Sequence, residues 1–210
     1  MKFTQTLKHS FAISLLALTT LGFSSCSDNN NDVVPDTELK DTQAKVQSQT
    51  LTPSTDSIFY NIKANATSPK ANALFSFAGK FYNLDITPTD SANYRFGYFD
   101  SKAASVDDIN LSVLDTAKIQ LAKTLTIKII NNTFPYTNVP NSWYTYNAQN
   151  HVLTPIANRY AILYKAPKGT NFNRKVEEAF IVQLNSITQN DDPKTRAVTS
   201  FIIKSKNFTK

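Results

Sequence analysis

The stretch Ala179-Phe180-Ile181-Val182-Gln183-Leu184-Asn185-Ser186-Ile187-Thr188 has the composition of a β-strand, because it is rich in aromatic and branched side chains and lacks charge, glycine and proline. Tyr160–Tyr164 and Val198–Lys204 lie on either side of it and predict two further strands. Polar loops that contain Pro167 and Pro193 separate the three stretches. The C-terminal third is therefore predicted to be a β-meander.

The same strand texture reaches back along the chain to about Ser57. Apolar residues alternate or cluster between turn residues, which predicts further strands around Ile58–Ile62, Leu74–Phe77, Phe81–Leu84, Tyr94–Phe99, Leu125–Ile129, Trp143–Tyr146 and Val152–Leu153. About nine strands without a βαβ rhythm predict a mostly β fold, a single antiparallel β-sandwich or barrel-like domain over residues 57–210. A region of this length can bury a core of its own.

At most one short helix is expected, and its candidate is residues 105–122. Ser105, Asp107 and Asp108 suit a helix N-terminus. Apolar residues then recur every four positions, at Ile109, Val113, Ala117 and Leu121. The match is incomplete, because other apolar residues fall outside this stripe, namely Leu111, Leu114 and Ile119.

Residues 1–25 have the layout of a cleaved signal peptide. Lys2 and Lys8 precede a short apolar run, Phe11–Phe23, and two serines close the segment. The run is too short to span a bilayer. Removal of the segment takes away two lysines and no acid, which lowers the formal net charge of +6 by two. The mature chain is therefore only mildly basic, without the clustered cations of a nucleic-acid-binding face.

Cys26 follows the apolar run and is the one cysteine of the chain, so it has no internal disulfide partner. Its setting, Leu21-Gly22-Phe23-Ser24-Ser25-Cys26, resembles the lipobox of bacterial lipoproteins, in which the cysteine is acylated and becomes the first mature residue. Acyl chains would anchor the protein firmly to a membrane. An ordinary secretory signal followed by an incidental cysteine is the alternative.

Residues 26–56 are predicted to be the lipidated cysteine and a disordered tether, because they contain little apolar surface. Their start, with Ser27, Asp28 and Asp32, resembles the export tags of Bacteroidota lipoproteins. That resemblance implies an outer-membrane location with display at the cell surface. Retention at the periplasmic face is the alternative.

The sequence contains no motif that is typical of a catalytic site. The chain has no Gly-x-Ser-x-Gly elbow, no His-Glu-x-x-His motif and no P-loop. The adjacent acids, such as Asp107-Asp108 and Glu177-Glu178, would point to different faces of an extended chain, which does not suit glycosidase chemistry. The chain is therefore predicted to be a non-enzyme.

The C-terminal meander carries a second resemblance. The runs Ser142-Trp143-Tyr144-Thr145-Tyr146, Arg159–Leu163, Ala179–Ile187 and Thr199–Ile203 resemble the end of HmuY-type lipoproteins of Bacteroidota. The segment Ala73–Phe99 is similar to uncharacterised all-β lipoproteins of the same group. The HmuY resemblance implies capture of haem and its delivery to an outer-membrane transporter, with paired histidine or methionine ligands to the iron.

The mature chain departs from that ligand pattern. It holds one histidine, His151, and no methionine, because Met1 and His9 leave with the signal. Two histidine ligands from one chain are therefore excluded. Haem stays a possible ligand through apolar contact, through His151 alone or through a tyrosine. A solvated turn residue is the alternative for His151.

Two kinds of binding function follow, with a third alternative. One is capture of haem or another small apolar ligand in a pocket near Trp143, Tyr144, Tyr146 and His151. The other is an accessory protein that binds glycan, with sugar rings stacked on aromatic residues such as Phe134, Tyr136, Trp143, Tyr144 and Tyr146. The third is a structural or partner-binding surface lipoprotein without a small ligand. No metal site is predicted.

Three short motifs resemble the acceptor sequence for O-glycosylation of exported Bacteroidota proteins. They are Asp56-Ser57-Ile58, Asp90-Ser91-Ala92 and Asp115-Thr116-Ala117. The resemblance implies modification at Ser57, Ser91 and Thr116. All three side chains must then lie on the surface.

Overall fold

A computed structural model of the protein describes residues 37–78, 84–131, 139–194 and 196–210, all within one compact unit. The predicted signal peptide, Cys26 and the start of the tether lie outside these residues. So does most of the predicted strand Phe81–Leu84.

The described residues form thirteen strands, numbered in chain order. They are β1 (Lys45–Leu51), β2 (Ile58–Asn61), β3 (Ala66–Thr67), β4 (Phe75–Phe77), β5 (Ile86–Pro88), β6 (Tyr94–Asp100), β7 (Gln120–Leu121), β8 (Thr126–Ile130), β9 (Ser142–Asn147), β10 (Val152–Pro155), β11 (Arg159–Lys165), β12 (Glu178–Gln189) and β13 (Val198–Thr209). The helical elements described are α1 (Leu111–Thr116) and three 3₁₀ turns, Asp41–Gln43, Lys70–Asn72 and Val106–Asp108. The prediction of a mostly β, sandwich-like domain with one short helix is confirmed.

The largest sheet has six strands in the order β1-β13-β12-β11-β6-β7, and each neighbouring pair is antiparallel. Side chains of β12 alternate between two cores: Phe180 and Val182 face one core, and Ala179 and Ile181 face the other. Both faces of the sheet are therefore buried. Burial on both faces explains why the central strands have continuous apolar runs instead of strict alternation.

Two smaller sheets cover the first face of this six-stranded sheet. Their strand orders are β3-β2-β4-β5 and β10-β9-β8. Aromatic side chains fill the space between the layers, and Phe77 stacks on Trp143 with ring centroids 6.2 Å apart. The pair β8 and β9 is parallel, in contrast to the antiparallel pairing elsewhere among the described strands.

The second face is covered by the segment that holds α1. Leu111 and Leu114 of the helix are buried against Tyr160 and Ile162 of β11. The helix is much shorter than the predicted 105–122, because the chain turns extended at Ala117 and then pairs with β6. Leu111 and Leu114 lie outside the predicted helical stripe and are buried here together with Ile109, so a single helical face over the whole segment does not form.

Part of the predicted tether is ordered, which corrects its boundary at residue 56. Strand β1 pairs with β13 along its whole length, from Lys45 opposite Asn207 to Leu51 opposite Phe201. Its side chains are mostly polar and exposed, so the strand is held by the backbone ladder and by the buried Leu51. Leu39 is also buried, against the second core. The folded region therefore begins by residue 39, well before Ser57.

Candidate functional site

Trp143 and Tyr144, two of the predicted ligand-binding residues, lie in the core. They are 1% and 2% exposed. The Trp143 indole donates a hydrogen bond of 2.9 Å to the carbonyl oxygen of Leu84, and the Tyr144 hydroxyl donates one of 2.9 Å to Asp85. Both side chains therefore fix β9 to the loop before β5 and present no aromatic face to a ligand.

Tyr146 and His151 lie together at the hairpin that joins β9 and β10. Both are half-buried, and the Tyr146 hydroxyl is hydrogen-bonded to Nδ1 of His151. His151 has a φ of 60°, and its backbone N–H donates to Asn147 O at 2.8 Å, which fixes the turn. Nε2 of His151 has no hydrogen-bond partner among the described residues. The structure thus joins Tyr146 to His151, and Tyr146 also packs against the core that contains Trp143 and Tyr144.

The remaining predicted sites divide between described and undescribed residues. Ser57, Ser91 and Thr116 are all exposed, as an acceptor for a glycan must be. Cys26, Phe134 and Tyr136 lie outside the described residues. Within the described ranges, no cluster of three or more metal-ligating side chains occurs, and no helix has the length and apolarity to cross a bilayer.

An open groove of about 860 Å³ lies beside the start of β6, where the sequence predicted no ligand-binding residue. We call it the β6 groove. Its lining residues come from five separate segments: Thr87, Pro88, Ser91, Tyr94, Arg95, Phe96, Leu121, Ala122, Lys123, Asn141, Lys168 and Gly169. The volume lies in the range of small-molecule sites and exceeds that of the cavities beside Arg159, about 480 Å³, and beside Val113, about 350 Å³.

The short strand β7 forms one wall of the β6 groove. Gly97 lies opposite Leu121 in the ladder, and the backbone N–H of Ala122 donates to Phe96 O at 3.0 Å. This close pairing leaves the Leu121 side chain 54% exposed at the groove. An exposed leucine in a concave site is available for an apolar ligand.

The opposite wall is tied to the same segment. Ile86 of β5 and Leu125 exchange two backbone hydrogen bonds of 3.0 Å, and Thr87 and Thr124 are joined by their hydroxyls at 2.9 Å. Lys123 therefore lies between two backbone anchors, the Ala122 bond to β6 and the Leu125 bonds to β5. Its position at the groove is set by the sheet.

Arg95 closes one end of the groove and fixes the loop beside it. Its guanidinium donates four hydrogen bonds of 2.9–3.0 Å to backbone carbonyls, at Ser91, Ala92, Tyr94 and Pro167. The loop continues through Lys168 to Gly169, which has a φ of 84°, a conformation that favours glycine. Lys168 is thus held at the rim by the residues on each side of it.

A buried polar cluster lies behind the groove. The hydroxyl of Tyr94 donates to Glu178, and Nζ of Lys63 is 2.7 Å from Oε2 of the same carboxylate. Burial raises the pKa of Tyr94 first, and the neighbouring Glu178 carboxylate raises it further, so the phenol stays protonated. The Tyr94 hydroxyl is committed to Glu178, and its ring serves as an apolar surface for the groove.

The chain matches no protein-family model and no curated protein. The β6 groove is therefore identified by its geometry and its charges. One sequence signal pointed towards it: Gly97 interrupts an aromatic strand, and an isolated glycine in a strand often marks the close approach of another backbone. The lining residues themselves share no local sequence pattern.

Proposed function

We propose that the protein is an exported, lipid-anchored binding protein without catalytic activity, and that the β6 groove holds a small ligand with an apolar body. The observation that carries this proposal is the groove itself, which combines Phe96, Leu121 and Pro88 with a few polar groups at the rim. Small-molecule sites have this composition, mostly apolar with a small number of polar groups that orient the ligand.

The cellular location of the protein is part of the same proposal. Cys26 at the end of a signal-like segment supports acylation, and the tag-like residues after it support the outer membrane and display at the cell surface. Retention at the periplasmic face is the alternative. An outer-membrane transporter is the expected partner, because a captured ligand must be passed on.

The anchor is tested by Cys26→Ala. The variant should leave the membrane fraction, and metabolic labelling with a palmitate analogue should be lost. Digestion of intact cells with a protease that cannot cross the outer membrane distinguishes surface display from periplasmic retention. Unchanged membrane fractionation of Cys26→Ala contradicts the lipid anchor.

The groove is tested with a neutral probe, N-phenyl-1-naphthylamine, whose fluorescence rises in apolar sites. The mature chain from residue 26, carrying Cys26→Ala, is titrated with the probe. Leu121→Asp should abolish binding, because a carboxylate then lies in the apolar wall. Val46→Asp is the matched control, since Val46 is also a large exposed apolar residue, 43% against 54%, but lies on β1. Equal binding of the probe by both variants contradicts the proposal that the groove is the binding site.

Haem capture is the second candidate, and the Tyr146–His151 pair favours it. Haem iron accepts both phenol oxygen and imidazole nitrogen as ligands, so Tyr146 and His151 are the residues that would hold it. The hydrogen bond between the Tyr146 hydroxyl and His151 Nδ1 would orient both side chains. A haemin titration should then give a saturable Soret shift that Tyr146→Phe and His151→Ala each diminish. A shift unaffected by both variants contradicts this candidate.

Glycan binding is less well supported by the described residues. A sugar platform needs a row of aromatic side chains that face solvent, but Trp143 and Tyr144 are buried and Tyr146 is bonded to His151. A ligand-free role at the cell surface is the outcome if neither the neutral probe nor haemin binds.

A further inference from the structure

We propose that the β6 groove selects an amphipathic anion, namely a straight acyl chain that ends in a carboxylate. This deepens the binding function proposed above and rests on it. The apolar body would lie along Phe96, Leu121 and Pro88, and the carboxylate would lie between Lys123 and Lys168.

The charge of the lining residues carries the inference. Three of them are cations, Arg95, Lys123 and Lys168, and none is an aspartate or glutamate. Within the described part of the chain, neither Lys123 nor Lys168 is paired with a carboxylate. Other lysines are paired: Lys63 with Glu178, Lys165 with Glu177 and Lys204 with Asp107. Lys123 and Lys168 thus carry charge that no salt bridge among the described residues balances.

Arg95 and the neighbouring Asp90 together contribute little to the net charge of the groove. The Asp90 carboxylate accepts hydrogen bonds from the backbone of Ala92 and Asn93 and from the Asn93 side chain. These bonds, together with the charge of Arg95, hold the pKa of Asp90 below its usual range. Asp90 therefore stays ionised and offsets Arg95, which leaves the two lysines as the uncompensated charges.

The chemistry of the groove favours a hydrocarbon chain over a compact polar ligand. Its apolar residues come from β5, β6 and β7, and the one phenol that lines it, Tyr94, donates to Glu178. A hydrocarbon chain gains from each methylene removed from water and needs no hydrogen-bond donor there. Its headgroup needs cations at one place, the rim.

Matched ligands with the same chain test this selection. Decanoate, decanol and decylammonium are compared by isothermal titration calorimetry and by displacement of N-phenyl-1-naphthylamine from the mature Cys26→Ala chain. Decanoate should bind about tenfold more tightly than decanol, and decylammonium more weakly than either, because two cations at a partly exposed rim favour the anion. Raising the salt concentration should narrow the difference.

A double variant, Lys123→Gln with Lys168→Gln, should lower the affinity for decanoate about tenfold and leave the neutral probe bound as before. Lys102→Gln with Lys194→Gln is the control, since it removes the same charge at exposed positions outside the groove lining. Equal affinities of the wild-type protein for decanoate and decanol overturn the inference. An equal loss of decanoate affinity in the control double variant and in the groove double variant overturns it as well. If the wild-type protein does not bind the neutral probe, the proposed function of the groove is contradicted. The selection for the anion is then tested by calorimetry with decanoate alone.

Discussion

A β-carbon added at Gly97 would lie 2.3 Å from the backbone carbonyl oxygen of Gln120. Real β-carbons do not approach backbone atoms so closely, so the pairing of β6 with β7 requires glycine at this position. Since β7 carries Leu121, one wall of the β6 groove depends on a missing side chain in the neighbouring strand.

Gly97→Ala should therefore displace β7 and destabilise the protein by about 1–3 kcal/mol, the usual cost of forcing atoms into packed space. Binding of the neutral probe should weaken as well. Urea unfolding followed by circular dichroism measures the stability. Leu121→Ala is the control, because truncation of an exposed side chain should change stability by less than about 0.5 kcal/mol. If Gly97→Ala is as stable as the wild-type protein, the close approach of the Gln120 backbone to residue 97 is contradicted.

Trp143→Phe should destabilise the protein by about 2–4 kcal/mol, because it leaves the Leu84 carbonyl without its hydrogen bond and leaves unfilled space beside Phe77. Tyr144→Phe removes the hydroxyl bond to Asp85 and should cost less, about 1–2 kcal/mol, since the ring stays in place. Trp143 is the one tryptophan of the chain, so its emission should be blue-shifted and resist quenching by iodide. Emission typical of exposed indole in the native protein would contradict its burial.

The stability of the protein should fall as the pH rises above about 10. Burial raises the pKa of Tyr60 from 10.0 to about 12, and burial also raises the pKa values of Tyr94, Tyr160 and Tyr164. The unfolded chain loses these phenol protons at its ordinary pKa while the folded chain retains them, so alkali favours unfolding. This contribution is fully present below pH 10 and is lost as the pH rises towards the folded pKa.

Tyr60→Phe identifies the contribution of one of these tyrosines. Urea unfolding at about pH 9 and about pH 11 should show a smaller decrease in the free energy of unfolding for the variant than for wild type. The lost hydrogen bond to Asn65 should lower stability at both pH values alike. Identical decreases in the two proteins would contradict the raised pKa of Tyr60.

A chain that begins at residue 37 should fold, whereas one that begins at residue 57 should be unstable or aggregate. The shorter chain lacks Leu39, Leu51 and the whole of β1, which leaves the long strand β13 as an unprotected sheet edge. Size-exclusion chromatography and thermal unfolding compare the two. Equal stability would mean that β1 contributes nothing to the fold.

The exposure of Ser57, Ser91 and Thr116 is compatible with O-glycosylation in the native host. The intact mass of the native protein should then exceed that of the polypeptide with its acyl chains, and Ser57→Ala, Ser91→Ala and Thr116→Ala should each remove one glycan. Ser91 also lines the β6 groove, so a glycan there would partly cover the ligand. A native mass without added sugar would dismiss all three sites.

The central strands of the large sheet were predictable because they are buried on both faces and therefore have apolar side chains at nearly every position. Tyr160–Tyr164 and Ala179–Thr188 are apolar at nearly every position. Strand β1 was not predictable, since its side chains are polar and its stability comes from backbone bonds to the far end of the chain. The length of the helix was overestimated, because the apolar residues of its segment are buried in a core without following a single helical stripe.

The site was less predictable than the fold for a related reason. Aromatic residues in sequence suggest a binding surface, but Trp143 and Tyr144 serve the interior of the sandwich. The groove gathers single residues from distant segments, such as Pro88, Leu121 and Lys168, and only the folded sheet brings them together.

The pairing of β1 with β13 has a consequence for synthesis. Among the described strands, β1 emerges first from the ribosome, and β13, its one neighbour in the sheet, emerges last. The nascent chain therefore cannot complete its largest sheet until β13 has been synthesised, and the backbone of β1 stays unpaired until then. A chain released early, before Val198, lacks the strand that joins both β1 and β12, so premature termination yields a client for chaperones and proteases.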